Sequence, residues 1–249
     1  MTHPDPVARP LLIRRARSED LPATAALHAD LLPHGLFPRL GTDFLQRWHA
    51  TYRDDEHAVA YVAVTPHDHT TARVQRTSDG DVVGFLLGAT DQAAYVEAVL
   101  AAHRRELVLA GAGALLVRPA LAARFLRTRA RRYLRWLLRL APARSTPSRH
   151  AAGGGRVAVV AAVAVVPAAR GQGIGASLLE AFVGDVRRAG TPAVELVTRA
   201  DRDGASAFYT RLGWSAQDVH PDLDGGQVRR FRRELATGSS PRPRPSERG

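Results

Sequence analysis

The chain contains no cysteine and no lysine. Without thiols there is no disulfide framework, no thiolate metal centre and no cysteine nucleophile, which fits a protein of the cytoplasm. Without lysine, all 35 basic residues are arginine. Alongside the abundant alanine this matches a high-GC coding habit, so the arginine count alone says little about partners. Long apolar runs are missing too: Leu107–Val117, eleven residues between Glu106 and Arg118, falls well short of the roughly 20 that a membrane span needs. The opening stretch MTHPDPVARPLLIRRARSEDL lacks an apolar core behind a basic start, so export is not expected.

What the chain does have is enough apolar residue, 45% of 249, to bury a sizeable core. Its formal charge of +11 is unevenly placed. Residues 92–150 hold twelve arginines against two acids, Glu97 and Glu106, whereas the rest of the chain holds 23 against 22. One segment therefore carries nearly all the excess.

Local patterns predict alternating strands and helices. Leu11–Arg17 reads as a strand, and Ser18-Glu19-Asp20 as the cap and acidic first turn of a helix to about Leu32. PHGLFP, residues 33–38, breaks that helix, and Thr42 or Asp43 caps another to about Arg53. His57–Thr65 and Val82–Ala89 read as a long-looped hairpin. Residues 91–150 then interrupt the strand series with two expected helices, one capped by Asp91 and running to about Val117, the other from Pro119 to about Leu140. The second is amphipathic and dense in arginine. Residues 141–155 read as a linker. Strands follow at 156–166, 193–198, 214–219 and 227–235, with helices over 172–189 and from Asp203 or Ser206 to Leu212. The tails, 1–10 and 236–249, are expected to be disordered. The expected architecture is a single α/β (α+β) domain over residues 11–235, interrupted by a helical insertion at 91–150.

One stretch concentrates chemistry. In VVPAARGQGIGASLLEAF, residues 165–182, Gly171, Gly173 and Gly175 stand between a buried strand and a helix. There, uncovered backbone N–H groups and the positive helix terminus make an anion site suited to phosphate. A side chain at Gly173 or Gly175 is expected to block close approach, and Arg170 can add its charge to the same anion. No Lys-Ser/Thr pair follows the glycines, so this is not a nucleotide-hydrolysing P-loop, and the glycine spacing fails the dinucleotide fingerprint.

The turn resembles the acyl-CoA pyrophosphate turn of the GNAT-type N-acetyltransferases, Arg/Gln-x-x-Gly-x-Gly/Ala after a strand ending in Val-x-Pro. Arg170, Gly173 and Gly175 match it, behind Val165-Val166-Pro167. A second element, Ala205-Ser206-Ala207-Phe208-Tyr209-Thr210-Arg211-Leu212-Gly213-Trp214, is similar to that family's A-x-x-F-Y-x-x-L-G-F stretch. The resemblance implies a mixed, twisted sheet of about seven strands flanked by helices, with the basic two-helix insertion added. It implies that the sheet is split between its fourth and fifth strands to admit the pantetheine arm of acetyl-CoA. Val163, Ala164 and Val165 would then pair with pantetheine, while Arg170 and the amides of Gly171, Gln172, Gly173, Ile174, Gly175 and Ala176 hold the diphosphate.

Acyl transfer to an amine needs a proton for the departing thiolate and a route for the amine's own proton. By the resemblance Tyr209 is the candidate acid, and Phe208 beside it reads as core. Glu195 is a carboxylate in an otherwise apolar strand, where burial disfavours the ionised form; it is the candidate base, or else a solvent-facing residue. Two departures from the family pattern stand out. The fourth strand, VAVVAAVAV, has no polar side chain, and Arg202 stands in place of the family's Asn, so that contact to the cofactor is either absent or made by Asp201 or Asp203. Acceptor recognition would fall to His34, Phe37, Arg39, Leu40 and Asp43. His67 and His69 lie in a polar turn and read as loop, so no metal is expected.

The sequence therefore predicts an N-acyltransferase that moves acetyl from acetyl-CoA to a small-molecule or peptide amine by direct attack in a ternary complex. The alternative is an inactive acyl-CoA-binding or membrane-surface adaptor. Helix 119–140 fits docking on its own domain, a lid, or contact with the anionic inner face of a membrane. Nucleic acid is disfavoured, because only Tyr133 and Trp136 are available to stack on bases.

Overall fold

A computed structural model describes residues 11–66, 76–118, 122–123, 155–200, 203–222 and 226–235. Seven strands form one continuous path in the order β1-β2-β4-β5-β6-β8-β7. They are β1 (Leu12–Arg15), β2 (Ala58–Thr65), β4 (Gly80–Ala89), β5 (Ala158–Val165), β6 (Ala193–Arg199), β7 (Ser215–Pro221) and β8 (Gln227–Glu234). A two-residue β3 (Arg76–Thr77) pairs with β4 beside this path. All neighbours are antiparallel except β5 and β6.

Helices cover both faces. On one side lie α1 (Leu21–Leu31), α3 (Thr42–Asp54) and α4 (Gln92–Ala102), packed through Leu27, Tyr52 and Tyr95 against β2, β4 and β5. On the other lie α6 (Ile174–Arg188) and α7 (Asp203–Arg211). Leu178, Leu179, Phe182 and Val186 recur at helical spacing on α6 and form its buried stripe against the sheet. With both faces covered, every residue of β4 is buried. The approach is close: a Cβ on Gly88 of β4 would stand 2.6 Å from the ring of Phe182.

The sheet opens where β5 and β6 part. Their parallel ladder holds only Ala158↔Val194, Val159↔Glu195 and Val160↔Leu196, although β5 continues to Val165 and β6 to Arg199. An extra residue helps turn β5 away. Opposite β4 the register steps from Gly88↔Val160 to Leu87↔Ala162, leaving Ala161 as a bulge.

Some boundaries differ from the sequence reading. Ser18 caps no helix; Ser18–Asp20 is a single tight turn in which the buried Asp20 carboxylate accepts from the Arg17 N–H and from Arg14, both at 2.6 Å. The expected break at 33–38 holds the start of a one-turn α2 (Phe37–Leu40), because a proline in the first turn of a helix is tolerated. Asp91 does cap α4, accepting from Ala93 and Ala94 at 3.1 and 3.2 Å. The helix it opens ends at His103, and α5 (Arg104–Leu116) follows as a separate piece beside α3. Arg156 reaches back to Asp91 at 2.7 Å, and Gln92 N–H donates to the Val157 carbonyl at 3.0 Å. The two ends of the interruption are thus clasped together at the sheet.

The expected helix 119–140 lies outside the described residues except for two positions, as do both tails, His67, His69, Asp201 and Arg202. Among the described residues no helix is long and apolar enough to cross a membrane.

Candidate active site

Divergence of β5 and β6 leaves a cleft of about 410 Å³. Residues 160–163 of β5 and 196–199 of β6 form its sides, Tyr209 comes from α7, and the far wall is built by residues 34–38 with His28, Leu32 and Trp48.

At the end of β5 the chain passes through Pro167–Ala169, one tight turn, into the glycine stretch. Gly171 and Gly173 have φ of +79° and +77°, a left-handed conformation that side chains disfavour, and Gly173 is the N-terminal cap residue of α6. The first hydrogen bond of that helix runs from Ser177 N–H to the Gly173 carbonyl, 3.0 Å. None of the amides of Gly171, Gln172, Gly173, Ile174, Gly175 and Ala176 has a protein acceptor among the described residues. Six uncovered donors at the positive end of a four-turn helix constitute an anion site.

The glycines serve different ends. A Cβ on Gly171 or Gly173 would meet nothing within 4 Å, so the conformation is what demands glycine there, and the space before the amides stays open. A Cβ on Gly175 would lie 3.3 Å from Phe208 Cζ. Gly175 therefore lets α6 pack on the Phe208 ring, a contact additional to the ligand clearance expected from sequence. Arg170 is exposed at the mouth of the turn, and its Nε donates to the Val165 carbonyl at 3.1 Å. That bond ties the turn to the end of β5. Val163 borders the cleft; Ala164 and Val165 continue the part of β5 that has no β6 partner.

Tyr209 is buried, with its ring 5.3 Å from Phe231 and 6.1 Å from Trp214, yet it borders the cleft. Burial pushes its phenol up to about 12, which keeps the proton on the oxygen at neutral pH. Its hydroxyl makes no hydrogen bond among the described residues. A protonated, unengaged hydroxyl in a cleft is placed to donate.

Glu195 is buried, as expected of a carboxylate in that strand, but it is not brought to Tyr209. It lies outside the cleft lining, and its Oε1 accepts from Arg232 on β8 at 2.6 Å. Its neighbour Leu196 borders the cleft while Glu195 is directed to the ion pair, consistent with the alternation of a strand. Of the acceptor-side residues expected from sequence, His34 and Phe37 border the cleft, Leu40 is buried behind it, and Arg39 and Asp43 do not take part.

The sequence reading missed His28 and Trp48, both on the far wall. Buried-face periodicity in α1 and α3 is the only signal that could have pointed to them. Among the described residues no group of three or more metal-ligating side chains is assembled.

Three solved structures illustrate the fold. The chain resembles Arabidopsis thaliana NAA60 in complex with acetyl-CoA at 13% identity, covering 91% of this chain and 99% of that one, with a TM-score of 0.52. An N-acetyltransferase from Staphylococcus aureus gives the same identity, coverage and score. A GCN5-related N-acetyltransferase from Kribbella flavida matches at 16% identity over 90% of this chain and 98% of that one, TM-score 0.51. No curated protein matches the sequence. The profile of the Acetyltransferase (GNAT) family spans residues 23–214, from the helix that carries His28, across the splayed strands and the glycine turn, to the tryptophan beneath Tyr209; the chain belongs to that family.

Proposed function

We propose that the protein transfers an acetyl group from acetyl-CoA to a primary amine by direct attack within a ternary complex. The observation that carries this reading is the adjacency of two uncovered backbone surfaces. One is the part of β5 beyond Val160, which has lost its β6 partner, and the other is the run of free amides from Gly171 to Ala176. Pantetheine, with its two amide groups, is suited to the first and a diphosphate to the second. The solved NAA60 relative holds acetyl-CoA, and we extend that ligand to this chain.

In this reading the amine nitrogen attacks the thioester carbon, and the carbonyl electron pair moves onto oxygen. Collapse of the adduct breaks the C–S bond, Tyr209 gives its proton to sulfur, and the proton shed by nitrogen restores the phenol through cleft water. Arg232 already occupies Glu195, so Glu195 serves better as a strut between β6 and β8 than as the base expected from sequence.

Calorimetry with coenzyme A tests the binding half of the proposal, and thiol release with acetyl-CoA across a panel of amines tests the transfer. A folded chain that ignores coenzyme A would remove the basis of the reading. Tight binding with no turnover on any amine would instead favour the acyl-CoA-binding adaptor.

A further inference from the structure

A buried chain of three side chains ends at the acceptor wall of the cleft. His28 on α1 is 5% exposed and His49 on α3 is 0% exposed. His28 Nδ1 lies 3.0 Å from His49 Nε2, and His49 Nδ1 lies 2.9 Å from Thr24 Oγ1. Thr24 Oγ1 also stands 3.2 Å from the carbonyl oxygen of Leu21, a group that can only accept.

The direction of the chain depends on where the one hydroxyl hydrogen of Thr24 goes. The Leu21 carbonyl at 3.2 Å and His49 Nδ1 at 2.9 Å both lie within reach, and the carbonyl, which can only accept, is the assigned acceptor. Thr24 must then accept from His49 Nδ1–H, which leaves His49 Nε2 bare to accept from His28 Nδ1–H. The last atom, His28 Nε2, is left with a lone pair. That atom has no protein partner among the described residues and is not one of the sealed buried atoms; His28 itself borders the cleft.

The surroundings keep the ring neutral and still. Phe85 stacks on it at 5.6 Å, Trp48 meets it edge-on at 5.6 Å, and of the rings packed against it only His49 titrates. Desolvation lowers His28 to about 4 and His49 well below its ordinary value. Among the described residues, the other ionisable groups bordering the cleft are His34, Arg199 and Tyr209, with no carboxylate.

We propose that His28 Nε2 accepts a hydrogen bond from the attacking amine, holding it as the neutral nucleophile, with His49 and Thr24 as positioning residues that fix the tautomer. The proposal rests on the N-acetyl transfer reading for the identity of the partner, not for the state of the ring. It also bears on substrate class. Leu32, Leu36, Phe37, Pro38 and Trp48 make the wall around His28 apolar, which fits an amine carried on an uncharged apolar group. A polycation would lose its hydration against such a wall.

Two-bond ¹H–¹⁵N spectra of the histidine rings in the full chain at pH 7 test this, with 2-phenylethylamine as the probe. The expected result is His28 protonated on Nδ1 and bare on Nε2, with a saturable shift of Nε2 when the probe is added. The nearly isosteric Thr24→Val should erode the tautomer preference and lower thermal stability through the orphaned His49 donor, while coenzyme A affinity stays close to the parent. His28→Ala should lower kcat/KM for 2-phenylethylamine by about 10- to 100-fold, mostly through KM, without changing the Kd for acetyl-CoA. An Nε2–H tautomer, an imidazolium at pH 7, or an Nε2 signal indifferent to the probe would each overturn the proposal. Failure to bind coenzyme A, with the tautomer as expected, would count against the transfer reading alone.

Discussion

The two halves of the cleft are built from different materials. The β5 half presents backbone: a strand edge without its partner and a glycine turn whose amides face outward. The α1–α3 half presents side chains, an apolar wall in which His28 is fixed by His49 and Thr24. A ligand shared across a fold can be read by main chain, because main-chain geometry survives changes of side chain. A ligand particular to one protein has to be read by side chains. In the proposed function the cleft separates a general partner from a specific one, and perturbing each half tests that division.

The largest effect is expected where the halves meet. Tyr209→Phe keeps the ring packing against Phe231 and Trp214 and should lower kcat by about 100- to 1000-fold, with the Kd for coenzyme A unchanged. Equal loss of affinity and rate would place Tyr209 in binding.

Acid should act on the side-chain half. The folded-state values of His28 and His49 lie below the ordinary histidine range, so the unfolded chain takes up protons first as pH falls. Their contribution is complete above about pH 6.5 and is lost toward pH 4, on the order of 3 kcal/mol for His28 alone. Denaturant titrations across that range should show the loss in the parent and a smaller one in His28→Gln. An unchanged pH dependence would mean that the pair opens to solvent.

The backbone half should yield to one side chain. A Cβ at Gly173 meets no atom within 4 Å, but Gly173→Val forces an unfavourable φ at the cap and should weaken coenzyme A by about 10-fold or more, measured by calorimetry. Its KM for the amine should hardly move. Smallest of all is Glu195→Gln. It removes a part-exposed ion pair with Arg232, so stability should fall by about 1 kcal/mol in a thermal melt while kcat stays within roughly twofold. A large drop in kcat there would restore Glu195 as the base.

The difference between the halves also explains what could be read in advance. Gly171 and Gly173 stand in the sequence as glycine because no other residue suits a left-handed φ, so the anion turn announces itself. Strand and helix order was likewise legible in period-2 and period-3.6 patterns, and the short β5–β6 ladder matches the expected split. The histidine chain was hidden, since its members lie 21 and 25 residues apart and meet only once α1 packs on α3. Arg232 was hidden for a related reason: the β6–β8 register that sets it opposite Glu195 has no local signature. Gly175 was visible, but its contact with Phe208 was not, because that ring comes from a helix about thirty positions away.

The clasp of Asp91 and Gln92 with Arg156 and Val157 has an architectural consequence. Departure and return occur at a single gate on the sheet, so whatever is spliced between these positions leaves strand pairing undisturbed. Strand pairing thus tolerates a change in the length between them, whereas any replacement has to restore the buried ring that Tyr95 lends the core.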